Sequence, residues 1–218
     1  MRVFVAIKAP EEVLNKLQEL QEKAMERSAR PAHDEENRLA ENGSIRIPKS
    51  RWRATAREKM HLTIQFLGND VKIHEIERIK KALEEATGEI RASVCGELEE
   101  GKKEIKAFNI RCAGVGAFPK AKRASVLWAG VQGEELINAA EIIRKKLKEA
   151  GFGADKKFSP HITFARCKFP SNVEEFVEEN KEFRWFEEEW KVDGIELIES
   201  VHSLGGYEYK RIGEYKFG

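Results

Sequence analysis

His61-Leu62-Thr63-Ile64-Gln65-Phe66-Leu67 and His161-Ile162-Thr163-Phe164-Ala165-Arg166 are two versions of one pattern, set 100 residues apart. Each opens polar, apolar, polar, apolar. On a β-strand residues i and i+2 share a face. His61 and Thr63 then point one way while Leu62, Ile64 and Phe66 point into a core, and His161 and Thr163 repeat the arrangement over Ile162 and Phe164. If the two strands lie side by side, two imidazoles and two hydroxyls line one groove. Histidine titrates near neutral pH, so such a pair can supply one general base and one general acid. Hydroxyls can donate to the non-bridging oxygens of a phosphate. The set is equipment for cleaving a phosphodiester without a metal. One His-x-Thr on a strand is more often a solvated or core histidine. Two copies with matched apolar partners favour the chemical reading over a coincidence of strand patterning.

The composition sets the outer limits. The chain has 218 residues, enough to bury a real core as one domain or two small lobes, and 41% are hydrophobic. It carries 39 basic and 38 acidic residues. That balance excludes a strongly basic nucleic-acid coat protein but leaves room for a local basic groove. Charged residues reach 35%, a surface composition typical of thermophiles. Cys95, Cys112 and Cys167 have no metal-ligand spacing and read as free thiols of a reducing cytoplasm. The first residues form a strand pattern rather than a signal peptide, and no apolar run has the length of a membrane span. A cytoplasmic protein with no metal and no other cofactor is expected.

Along the chain, residues 2–7 read as a buried strand. Pro10, Glu11 and Glu12 begin a helix whose apolar face carries Val13, Leu14, Leu17, Leu20 and Gln21. Residues 28–53 break that pattern and read as a surface segment. A second helix ends near Gly88. Residues 90–98 and 105–113 have hairpin spacing about a turn at 99–102. Residues 114–122 read as a loop and 125–131 as a strand. A helix over 136–150 places Ile137, Ala140, Ile143 and Leu147 on one face and stops at Gly151. After the second motif come a short acidic helix over 173–180 and closing strands over 185–202 and 206–217. Strands adjoining in sequence favour antiparallel pairing and an α+β class. Gly114-Val115-Gly116 lacks the rest of a dinucleotide fingerprint and opens no helix, so that reading is rejected.

Several stretches together give the chain a likeness. Arg2-Val3-Phe4-Val5-Ala6-Ile7, His61 to Gly68, Gly114-Val115-Gly116-Ala117-Phe118-Pro119, Val126-Leu127-Trp128-Ala129-Gly130 and His161 to Arg166 cover nearly its whole length. With these motifs it resembles the two-histidine phosphoesterase superfamily. Within that, it is most similar to the bacterial and archaeal RNA 2',3'-cyclic phosphodiesterases, also called 2'-5' RNA ligases. The resemblance implies a single bilobal catalytic domain over 1–218. It has two pseudo-symmetric lobes around a central cleft, each an antiparallel sheet with helices outside. It implies His61 and His161 as the catalytic pair and Thr63, Thr163 and Arg166 as the phosphate-binding residues. It also implies metal-independent hydrolysis of RNA 2',3'-cyclic phosphate ends to 2'-phosphates, with 2'-5' ligation as the reverse. The expected partner is an RNA end and the expected state a monomer.

Arg166 carries a difficulty of parity. It follows Thr163 by three residues, so a regular strand turns it away from the groove. Only a strand end or a bulge re-aims it. Relative to the family, 28–53 resembles an insertion. It is either a solvated loop or an RNA-contacting flap in which Arg46, Lys49, Arg51 and Arg53 meet phosphates and Trp52 stacks on a base. His33 and His74 read as solvated surface residues, and His202 as a late-strand residue that can approach the cleft. Phe4 and Phe118 have both packing and ligand readings open. Two rival functions fit the same residues. One is a phosphodiesterase for a small nucleotide such as ADP-ribose cyclic phosphate. The other is an RNA-end-binding module without turnover.

Overall fold

The computed structural model describes residues 1–29, 52–94, 107–153, 156–181, 189–204 and 206–217. Among the described residues nine strands and four α-helices follow one another as β1 (Arg2–Lys8), α1 (Glu11–Ala29), β2 (Trp52–Ala54), β3 (His61–Gly68), α2 (Ile76–Val94), β4 (Phe108–Phe118), β5 (Ala124–Gln132), α3 (Glu134–Glu149), β6 (His161–Ser171), α4 (Glu174–Asn180), β7 (Trp190–Val192), β8 (Gly194–Ser203) and β9 (Gly206–Lys216). The α+β class and the antiparallel pairing are as the sequence predicts. The strand order is β7-β4-β5-β6-β3-β1-β8-β9, with β2 added beside β6. Among the described residues the one register pair that joins one half of the sheet (β4, β5, β6) to the other (β3, β1, β8, β9) is Leu62 of β3 with Ile162 of β6.

Burial explains which face of the sheet does what. Val3, Val5 and Ile7 of β1, Leu62 and Ile64 of β3, and Ile162 and Phe164 of β6 enter one large core. The helices cover that face with Leu17 and Leu20 (α1), Ile79 and Leu83 (α2), and Ile143 and Leu147 (α3). Because side chains alternate, the opposite face receives His61, Thr63, His161 and Thr163, all half-buried.

Three expectations change. Residues 90–94 are the last turn of α2, because Ile79, Leu83, Ala86 and Ile90 keep helical spacing straight through Gly88 and are buried. No side chain crowds Gly88, and glycine inside a helix costs only about 1 kcal/mol relative to alanine. The rest of the expected hairpin, through residue 106, lies outside the described residues. Residues 114–118 belong to β4, not to a loop. A register shift between Cys112 and Val115 puts Gly114 at a bulge with φ +68°, a conformation that suits glycine. In α3 the buried face includes Leu136 and Ala139, while Ile137 is 37% exposed.

The 28–53 segment is bounded by secondary structure. Helix α1 continues to Ala29, and Trp52–Ala54 form β2, paired to β6 with Trp52 opposite Cys167. Residues 30–51, including Arg46, Lys49 and Arg51 of the expected flap, lie outside the described residues. Trp52 is 5% exposed and belongs to the core, so its expected role as an RNA-stacking ring does not hold. Trp52→Ala is therefore expected to lower the free energy of unfolding by about 3–5 kcal/mol, the usual cost of truncating a buried large aromatic. Equilibrium urea unfolding measures it. A variant as stable as the parent would return Trp52 to the surface.

Candidate active site

The four cleft residues owe their arrangement to the Leu62–Ile162 pair. Extending this antiparallel register by one residue each way sets His61 opposite Thr163 and Thr63 opposite His161. Each imidazole thus has a hydroxyl from the other strand across from it. Among the described residues neither threonine hydroxyl has a hydrogen-bond partner, so both are available to an incoming acceptor.

The two histidines are held alike. His61 Nδ1 lies 2.8 Å from the carbonyl oxygen of Lys59, and His161 Nδ1 lies 2.6 Å from that of Ser159. A carbonyl only accepts, so Nδ1 carries the proton in both rings and Nε2 is the atom left for chemistry. Aromatic rings wall them in. Phe4 stacks on His61 with centroids 4.8 Å apart, and Tyr209 meets the same ring edge-on at 5.4 Å. Phe118 meets His161 edge-on at 5.0 Å and Trp128 lies at 5.9 Å. Gly116 makes the seat for that indole, since a Cβ there would fall 2.1 Å from the Trp128 ring. Phe4 thus faces the cleft side, and Phe118 packs against a motif histidine.

This enclosure lowers both imidazole pKa values. Burial takes His61 down to about 4, with the Arg166 guanidinium and His161 adding to the fall. His161 is also lowered, by burial first and Arg166 second. The backbone carbonyls oppose the shift in each case.

Arg166 reaches the cleft by a bulge. In the β5–β6 pairing Leu127 meets Ala165 and Trp128 meets Thr163, so Phe164 is an extra residue. Phe164 and Ala165 are both buried and Arg166 returns to the exposed face beside the histidines. The bulge is anchored from the helix layer. Buried Gln21 of α1 donates its side-chain amide to the Phe164 and Thr55 carbonyls, and the Thr55 N–H also donates to the Phe164 carbonyl. Strand β3 has the same device. Val5 pairs with Gln65 and Ala6 with Thr63, leaving Ile64 as the extra residue. Buried Gln65 donates to the Phe152 carbonyl, and the bulge reverses the alternation after it, so Phe66, expected in the core, is 42% exposed on the cleft side with the Arg2 guanidinium 5.2 Å over its ring.

The structure therefore brings together all five expected residues, His61, His161, Thr63, Thr163 and Arg166. His202 and His74 are exposed, and His202 contacts Tyr207 rather than the motif histidines. His33 lies outside the described residues. Cys112 and Cys167 are free and buried, and burial pushes the Cys112 thiol up to about 12. Among the described residues no group of three or more His, Cys, Asp and Glu side chains converges as a metal site, and no helix is long and apolar enough to cross a membrane. Sequence reasoning missed Gln21 and Gln65 as anchors and Tyr209 and Trp128 as walls. A glutamine on an otherwise apolar helix face was the available signal for the first.

The lowered imidazoles have a consequence with a definite sign. A group that stays neutral in the folded state while the unfolded chain takes up a proton makes stability fall as pH drops. Stability is thus expected to decline between the ordinary histidine range near 6.5 and about 4. Two-dimensional NMR titration should find both motif imidazoles below 6.5 in the free protein, with His61 at about 4. A phosphate monoester should move both upward, because an anion favours the imidazolium. A His61 value at or above 6.5 without ligand would contradict the enclosed cleft.

Known proteins share this architecture. The family model for the AKAP7 2'5' RNA ligase-like domain matches residues 3–217. A relative from Thermotoga maritima, named RNA 2',3'-cyclic phosphodiesterase, is 28% identical over 218 residues, covering 100% of this chain and 96% of that one. Another of that name, from Archaeoglobus fulgidus, is 35% identical over 117 residues, 53% of this chain and 56% of that protein, so that match spans about half of each. The crystal structure of TT0787 from Thermus thermophilus superposes with a TM-score of 0.67 at 25% identity, covering 100% of this chain and 98% of that one.

Proposed function

The chain belongs to the AKAP7 2'5' RNA ligase-like family, and on that footing we propose that it hydrolyses RNA 2',3'-cyclic phosphates to 2'-phosphates without a metal. The observation that carries the reading is the pair of Nε2 atoms on one face. Each is freed for proton transfer by the Nδ1 contact of its own ring with a backbone carbonyl. One neutral imidazole takes a proton from water as the water oxygen bonds to phosphorus. The bond from phosphorus to the 3' oxygen then breaks, and the second histidine, as imidazolium, gives that oxygen its proton. Thr63, Thr163 and Arg166 donate to the oxygens on which charge accumulates. With a 5'-hydroxyl in place of water the same base and acid act in the same sense: the 5' oxygen bonds to phosphorus, the bond to the 3' oxygen breaks, and the product is a 2'-5' linkage, with no nucleotide triphosphate consumed. Only cleavage of that linkage, with the 3'-hydroxyl attacking and the 5' oxygen leaving, exchanges the two roles. Water outcompetes the hydroxyl at ordinary RNA concentrations, so hydrolysis dominates.

The acid must gain a proton in a site that disfavours it. The substrate phosphate supplies the missing anion. It raises both imidazoles toward the working range as it binds, opposing the pull of burial and of Arg166. The bell-shaped dependence of kcat/KM, which reports the free enzyme, is therefore expected to centre on the acid side of 6.5. The profile of kcat, which reports the complex, should lie at higher pH. Coincident profiles centred above pH 8 would count against this pairing.

The direct test is turnover of an oligonucleotide ending in a 2',3'-cyclic phosphate after exhaustive chelation, with the position of the product phosphate determined. Full activity and a 2'-phosphate are expected. His61→Ala and His161→Ala should each lower turnover by at least about 10²–10⁴-fold, the usual contribution of a positioned acid or base. Near-normal hydrolysis in either folded variant, or activity restored only by a divalent ion, would overturn the proposal.

A further inference from the structure

Arg53 of β2 stands directly opposite Arg166 of β6 in the antiparallel register. Opposed residues put their side chains on the same side of the sheet, with Cα atoms about 4.5–5.5 Å apart, and like charges so placed repel. Both arginines are exposed, and among the described residues neither takes part in an ion pair or a hydrogen bond. Lys168, two residues beyond Arg166, is exposed too, and among the described residues its ammonium contacts the Phe169 ring, at 5.6 Å. The nearby Arg57 is different, because it is occupied by Glu11, Gln18 and Asn15 of α1. Three cations with no acidic partner among the described residues thus sit where β6 leaves β3 and takes β2 as its neighbour. Arg166 already acts on both motif histidines, so this patch is continuous with the cleft. Repulsion left uncompensated across a strand pair is understandable when an anion is bound there in use.

We propose that Arg53, flanked by Lys168, holds a second phosphate, the one on the 5' side of the nucleoside that bears the cyclic phosphate. This rests on the function proposed above. A 2',3'-cyclic phosphate ends its chain, so any further phosphate of the substrate lies on the 5' side. That phosphate is either an internucleotide linkage of RNA or the 5'-phosphate of a small nucleotide. Arg53 is then a specificity-determining residue: it makes the protein prefer substrates with a second phosphate. It plays no part in proton transfer.

The test compares the full chain with Arg53→Gln on three substrates: uridine 2',3'-cyclic phosphate, the same nucleotide with a 5'-phosphate, and the dinucleotide UpU ending in a cyclic phosphate. The quantity read is the ratio of kcat/KM for each two-phosphate substrate to that for the plain nucleotide. One charged hydrogen bond to phosphate is worth about tenfold or more, so the ratio should fall by at least about tenfold in the variant. Arg53→Lys should retain part of it. A fall for the dinucleotide alone identifies an RNA linkage as the ligand. A fall for both identifies any 5'-phosphate. Ratios that do not move overturn the proposal, whether the separate rates change or not. Calorimetric binding of uridine 2'-phosphate against uridine 2',5'-bisphosphate reads the same preference without turnover. If the parent protein hydrolyses none of the three substrates, the function proposed above fails, and this binding ratio still decides the subsite. Arg53 is exposed on an edge strand and its loss relieves repulsion, so the melting temperature of Arg53→Gln is expected not to fall below that of the parent.

Discussion

One backbone pairing holds the functional geometry together, Leu62 against Ile162. Among the described residues every other strand pairing lies within one half. The contact is short, but both side chains are completely buried in the shared core. Because strand side chains alternate, fixing these two inward fixes four others outward. A slip of one residue in either strand would turn its histidine and threonine into the apolar layer. The packing that stabilises the fold is thus also what selects the register of the cleft.

The second constraint is that the repeat is approximate. Both motif strands bulge three residues after the histidine, at Ile64 and at Phe164, and a buried glutamine amide bonds a backbone carbonyl in each half. The bulges bring the sixth residue of each motif to the cleft side, where one half presents Phe66 and the other Arg166. Chemical asymmetry is built on a symmetric frame in this way. The two imidazoles are fixed by equivalent carbonyls. Their surroundings differ: Phe4 and Tyr209 enclose one, Phe118 and Trp128 the other.

Much of this was legible in the residues. The period-two pattern of the motifs declared which side chains share a face, and the helical spacing of Val13, Leu17 and Leu20 marked α1. The parity of Arg166 demanded a bulge, and the bulge is there. What escaped the sequence were features decided by distant partners. Trp52 looked like an exposed ring among cations, yet three residues of pairing with β6 draw it into the core. Residues 90–94 alternate well enough for a strand, but Ile90 completes a helical face that packs inward. Gly114 and Gly116 suggested a loop, whereas one serves a bulge and the other seats the Trp128 indole across the strand pair. Each of these depends on which strand or helix comes to lie beside the segment, and local pattern carries no record of that.

The central claim is that the two half-sheets deliver His61 Nε2 and His161 Nε2 to one phosphorus. A crystal structure with a uridine–vanadate complex, which mimics the pentacoordinate phosphorane, tests it most directly. The account predicts vanadium in the cleft, with both Nε2 atoms within hydrogen-bond reach of its apical oxygens. Thr63, Thr163 and Arg166 should meet the equatorial oxygens, and both Nδ1 atoms should remain on the Lys59 and Ser159 carbonyls. Vanadate bound by one histidine alone, by Nδ1, or outside the cleft would contradict it.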